Sequence, residues 1–153
     1  MAEHKTALSR GAVGGLAAVI AILLAGVAGA EDEAAMRKKL SGTWSGFVVH
    51  GRGERPNQGP ARITEMVISP DLITARDGAR DFGAGTYRLD PAKGFIDSTG
   101  TRGEPRGKTF LGIYTLEGDT LKWCSANPGK ARPTELMTRP GSGHFLMILT
   151  RKK

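Results

Sequence analysis

Thiol and imidazole chemistry are scarce in this chain. Cys124 is the one cysteine in 153 residues, so an intramolecular disulfide is excluded. Of the three histidines only His50 and His144 fall beyond the first thirty residues, and two ligands do not define a zinc site. No H-E-x-x-H, no G-x-S-x-G and no phosphate-binding glycine loop occurs. Gly83-Ala84-Gly85 is the nearest glycine cluster, and with no helix after it the expectation is a bulge or sharp bend in a strand. Asp71, Asp77, Asp81, Asp90 and Asp97 sit beside turns, where Asp serves backbone hydrogen bonds. A catalytic Cys124 would need a neighbouring base that no motif supplies, so an inert thiol is expected. These absences point away from an enzyme and give no metal, no cofactor and no catalytic residue.

Long apolar stretches are also missing, with one exception at the N-terminus. Lys5 and Arg10 precede an uncharged run over residues 11–30 that ends in Ala28-Gly29-Ala30, just ahead of Glu31-Asp32-Glu33. This is the layout of a secretory signal peptide with a small-residue cleavage site. The expected localisation is therefore exported, periplasmic or extracellular. The alternative is an anchor formed by an uncleaved N-terminal helix, because twenty uncharged residues can span a bilayer. No cysteine follows the run to carry a lipid. The whole chain carries 22 Lys and Arg against 15 Asp and Glu, and those charges are scattered apart from Arg151-Lys152-Lys153. An exported basic protein meets an anionic envelope surface, so nucleic acid is not expected as a partner.

What remains reads as β structure after a short helical leader. The leader covers residues 31–41, with acids at its start and Arg37, Lys38 and Lys39 at its end, as the helix dipole favours. Glu33 and Arg37 are spaced for a pair, and Met36 with Leu40 makes a small apolar stripe. It closes one end of the domain or hangs loose. From there, Gly and Pro punctuate short apolar runs near 43–50, 62–69, 72–76, 82–89, 94–98, 109–117, 120–125 and 144–151. Turn chemistry lies between them in Ser69-Pro70-Asp71, Asp77-Gly78, Asp90-Pro91 and Glu117-Gly118-Asp119. The expected fold is all-β, a small antiparallel up-and-down barrel of about eight strands over residues 42–153. Residues 51–61 are either a lid or a neutral insertion. Residues 133–138 are expected to add an extended piece. Strand parity puts Cys124 on the face of Lys122, which argues for exposure, whereas an exported free thiol is tolerated best when buried.

Residues 109–124 (TFLGIYTLEGDTLKWC), then Arg132-Pro133-Thr134-Glu135, Pro140-Gly141-Ser142-Gly143 and the opening Leu40-x-Gly42-Thr43-Trp44, carry a resemblance. They resemble a small lipocalin-like domain of unknown function abundant in Planctomycetes, over about residues 36 to 152. The chain departs from it at Leu136, where an aromatic is usual, and along the glycine-rich first loop. The resemblance implies fold and export, and no activity. Lipocalins are similar in one further respect: a Gly-x-Trp on the first strand packs against a basic residue of the last. By that likeness Gly42, Trp44 and Arg151 form a structural closure of the barrel.

Parity then gives a candidate lining. Phe110 and Tyr114 share one face of a strand, Leu121 and Trp123 one face of its partner, and Phe145 and Met147 one face of the closing strand. With two Trp, two Tyr and five Phe in the chain, and Gly112 in this wall, a modest cavity is expected. One expected function, which the sequence does not rank above the alternative, is an exported barrel holding a small apolar or amphipathic ligand. The alternative is a filled barrel that works through its surface as a protein- or envelope-interaction module. A monomer is expected.

Overall fold

The structure, a computed structural model, describes residues 32–54 and 62–153. The expected signal segment lies outside the described residues, and so does most of the first long loop. Helix α1 covers residues 32–40. The Glu33–Arg37 pair forms at 2.9 Å. Arg37 also donates to the backbone oxygens of Pro70 and Tyr87, which ties the helix to the strands beneath it.

Nine strands follow: β1 (Gly42–His50), β2 (Arg62–Ile68), β3 (Ile73–Asp77), β4 (Arg80–Asp90), β5 (Phe95–Arg102), β6 (Thr109–Phe110), β7 (Gly112–Glu117), β8 (Thr120–Ala126) and β9 (His144–Arg151). Their ladder runs β4-β3-β2-β1-β9-β8-β7-β5, and β4 pairs with β5 to close it. The result is the expected antiparallel up-and-down barrel of eight strands, with β6 a two-residue stub that continues the line of β7. Its first and last strands pair from Trp44 opposite Arg151 to His50 opposite Phe145. The turns behave as their residues dictate. Ser69 Oγ accepts from the Leu72 amide, and Gly118 supplies the positive φ, 58°, that the β7–β8 hairpin needs.

Two apolar clusters result. The larger fills the barrel around Trp44, Ile68, Leu89, Ile96, Leu121 and Leu149, with Leu40 and Met36 of α1 packed into it from one end. The smaller lies on the outer face, where Val49, Cys124 and Leu146 are covered by Leu136 of the β8–β9 connection. That cover corrects the parity reading of Cys124. The side chain does point away from the barrel interior, yet it is fully buried because residues 127–143 fold back over it. Residues 133–138 correct a second expectation. They make no added strand, only an isolated bridge between Gly53 and Thr138.

Candidate functional site

The two ends of the barrel differ because their residues differ in size. At the α1 end large side chains leave no room. At the other end β4 carries the Gly83-Ala84-Gly85 cluster, and β5 faces it with Ser98 and Gly100. The register shifts at Phe82 of β4 and again at Thr101 of β5, so the glycine cluster is paired but lies between two bulges. Gly100 has a second role. A Cβ there would lie 1.9 Å from the Pro105 carbonyl oxygen, so only glycine lets residues 103–108 fold back across the sheet. Gly107 donates to the Gly100 carbonyl and Gly100 to that of Lys108, which pins the fold-back.

The small wall and bulky neighbours line a cavity of about 230 Å³ that is open to solvent on one side. Met66, Ile73, Phe82, Phe110, Phe145 and Met147 supply its apolar surface, and Pro105 closes one side. Phe110 and Phe145 meet edge to face at 6.1 Å. Beside the small wall, Asp81 accepts from the Gly83 amide at 2.7 Å and pairs with Arg102. The Arg102 hydrogen bond holds the Asp81 carboxyl below its ordinary pKa.

Four of the six expected lining residues, Phe110, Trp123, Phe145 and Met147, meet at this cavity. Tyr114 and Leu121 do not line it. They lie in the packed half of the interior, where burial and the Asp90 charge push the Tyr114 hydroxyl pKa up. The polar companion of Trp123 is Ser125, two residues along β8 and 1 % exposed. Nothing but parity with Trp123 marked Ser125 in the sequence, and its polarity argued for the surface. Trp123 Nε1 and Ser125 Oγ are buried and have no hydrogen-bond partner among the described residues. Gly112 sits against the indole: a Cβ there would lie 2.7 Å from Nε1.

Gly42, Trp44 and Arg151 come together at the opposite end. The Arg151 guanidinium stacks on the Trp44 ring, and a Cβ on Gly42 would lie 2.6 Å from its Nη1. A second concavity, about 630 Å³, lies outside the barrel between Phe95, Ile113, Arg132 and Leu136. Its cations are already engaged, since Arg132 bonds both Asp97 oxygens and the Gly112 carbonyl and Lys93 pairs with Asp90. Cys124 offers no nucleophile: burial pushes its thiol from 9.0 up to about 11. His144 Nε2 lies 3.0 Å from the Ala131 carbonyl oxygen, and among the described residues no cluster of three or more His, Cys, Asp or Glu side chains is arranged to hold a metal. Comparison of the chain with family models, with curated proteins and with solved structures found no match.

Proposed function

We propose that this chain is an exported barrel that holds one small apolar or amphipathic molecule in the half of the barrel opposite α1. The observation that carries the reading is the cavity of about 230 Å³ with its mostly apolar lining. A cavity of about 150 Å³ takes benzene, and drug-sized ligands occupy about 300 to 1,000 Å³. The volume suits a small apolar molecule or the apolar end of a larger one, since the site is open on one side. Support for export comes from residues 1–30, with Lys5 and Arg10 ahead of the uncharged run and Ala28-Gly29-Ala30 behind it. The resemblance to the planctomycete lipocalin-like domain, carried by Gly42-Thr43-Trp44 and residues 109–124, favours the same reading.

Native mass spectrometry of the protein from its host's extracytoplasmic fraction tests both halves together. The expected result is a reproducible added mass that disappears on denaturation, on a chain shortened by its first thirty residues. A Met66→Trp change, which fills the cavity, should abolish the added mass while the barrel stays folded. A bare mass would favour a barrel that works through its surface.

A further inference from the structure

We infer that the molecule held in the cavity is an anionic amphiphile, its apolar end against Phe82, Phe110 and Phe145 and its phosphate or carboxylate head at the rim beside Arg80 and Lys108. This rests on the ligand-binding reading above and names the class of molecule for that site. The cavity is open to solvent on one side and lies in the half of the barrel away from α1. The up-and-down topology gathers the ends of β1, β3, β5 and β8 and the starts of β2, β4, β6 and β9 there. Six exposed cations begin or follow those strands without an ion-pair partner among the described residues: Arg52, Arg62, Arg80, Arg106, Lys108 and Lys130. Asp81 is taken up by Arg102 and Glu54 by Lys122. Asp77, opposite Arg80 in the ladder, and Glu104 are the carboxylates left among the described residues of that end. The open end therefore carries an excess of positive charge around an apolar opening.

Two of the six cations stand next to the lining itself. The Arg80 guanidinium carbon lies 5.1 Å from the centroid of the Phe82 ring, and that ring lines the cavity. Lys108 lines a second concavity, about 410 Å³, whose walls include Phe82, Pro105 and Phe110 of the cavity. A molecule with its apolar end against those three residues thus brings its head beside Lys108 without entering the packed half of the barrel. Glu104 lines the same concavity, and Arg106 lies between it and Lys108 in the chain, so the carboxylate is outnumbered. Salt screens exposed charges over about 8 Å at physiological ionic strength, and apolar walls of low dielectric focus the field that remains. An anionic head is drawn to such a mouth, an ammonium head is repelled, and an uncharged head gains nothing from it.

The test is a set of probes with one tail and three heads, octyl phosphate, octanol and octylammonium, titrated into the full chain at low salt and followed by calorimetry. Octyl phosphate is expected to bind roughly tenfold more tightly than octylammonium, the worth of a few exposed charge contacts, with octanol between them. Salt at about 0.5 M should shrink that ratio to about threefold or less. Arg80→Gln combined with Lys108→Gln should do the same, with the affinity for octanol unchanged within about twofold. Lys152→Gln combined with Lys153→Gln removes as much charge from the exposed end of the chain beyond Arg151, at the plugged end, and should leave the ratio as it was. Met66→Trp should abolish binding of all three probes. Octanol binding with no preference for the phosphate would overturn the anionic head and leave the ligand-binding reading standing. Equal loss of the preference in both double variants would overturn the assignment to the rim, and octyl phosphate binding that survives Met66→Trp would overturn the placing of the tail. Failure of all three probes to bind the unmodified chain would overturn the inference together with the ligand-binding reading, and its attachment to phosphatidylglycerol vesicles would then mark an end that docks on lipid.

Discussion

The guanidinium of Arg151 lies 4.2 Å from the ring centroid of Trp44 and reaches beyond it to the carbonyl oxygens of Lys39 and Ser41. One side chain from the last strand therefore covers the indole of the first strand and caps the end of α1. Trp44 itself is fully buried and donates to the Leu40 carbonyl. The contact joins three pieces of chain at the plugged end of the barrel. Arg151 also touches Asp119 at 3.4 Å, a partly exposed contact that adds little.

Trp44→Ala should cost about 3 to 5 kcal/mol of stability, the range for deleting a buried aromatic. Arg151→Ala should cost about 1 to 3 kcal/mol, because two backbone oxygens lose a charged donor and the ring loses its cover. Arg151→Lys should recover only part of this, as an ammonium cannot stack and fork at once. Urea unfolding monitored by tryptophan fluorescence measures all three. A Trp44→Ala loss below about 1 kcal/mol would sink the packing claim.

Gly100 decides the shape of the cavity wall. Its Cβ would meet the Pro105 carbonyl at 1.9 Å, and backbone cannot move aside as a flexible side chain can. Gly100→Ala should therefore destabilise the barrel by about 2 kcal/mol or more and weaken probe binding, because Pro105 lines the cavity. Gly118→Ala makes a useful comparison. Nothing lies within 4 Å of its Cβ, and the cost is confined to its positive φ, about 1 kcal/mol. Thermal melts of the two variants should rank them in that order.

Why the barrel itself was legible is plain from particular residues. Alternation along 144–151 and the turn glycines set most strand ends to within a residue or two, the exception being β5, expected to stop near residue 98 but running on to Arg102, and Gly42-Thr43-Trp44 with Arg151 marked the closure. Parity also sent Phe110, Tyr114, Trp123 and Phe145 to the interior. Depth along the barrel was not encoded in parity. Tyr114 and Leu121 fall in the half filled by Leu40 and Trp44, and the cavity opens only where Gly83, Gly85 and Gly100 remove volume on distant strands. Cys124 was illegible for a related reason. Its burial comes from residues 127–143 folding over an outer face, a tertiary event with no periodic signature.

That fold-back has an identifiable pin. Arg132 makes two hydrogen bonds to Asp97 and one, at 2.7 Å, to the Gly112 carbonyl, and lies 4.1 Å from the Phe95 ring centroid. Asp97 Oδ1 also accepts from the Gly112 amide. Charge-assisted hydrogen bonds in a partly buried site are stronger than neutral ones. Arg132→Ala should cost about 1 to 3 kcal/mol and act locally. Hydrogen exchange is expected to speed up across residues 127–143 while the amides of β8 and β9 keep most of their protection. Uniform loss of protection would show that residues 127–143 and barrel unfold as one unit.

Cys124 reports on the same cover. Burial raises its thiol from 9.0 to about 11, so at neutral pH the folded protein should resist maleimide and disulfide exchange. Arg132→Ala should accelerate labelling, since residues 127–143 are what hide the sulfur. The raised value also sets a pH dependence. Below pH 9 the thiol is protonated in both folded and unfolded chains and contributes no slope. Between about pH 9 and pH 11 the unfolded chain loses its proton first, so stability falls as pH rises. The loss attributable to Cys124 is about 1 to 3 kcal/mol by pH 11. Tyr87 and Tyr114, whose hydroxyls burial also shifts upward, add to the fall above pH 10. Urea midpoints for the unmodified chain and for Cys124→Ala, compared at pH 7 and pH 10.5, separate the two sources. The variant should fall less steeply, and identical slopes would mean the thiol ionises as readily in the folded protein as in the unfolded chain.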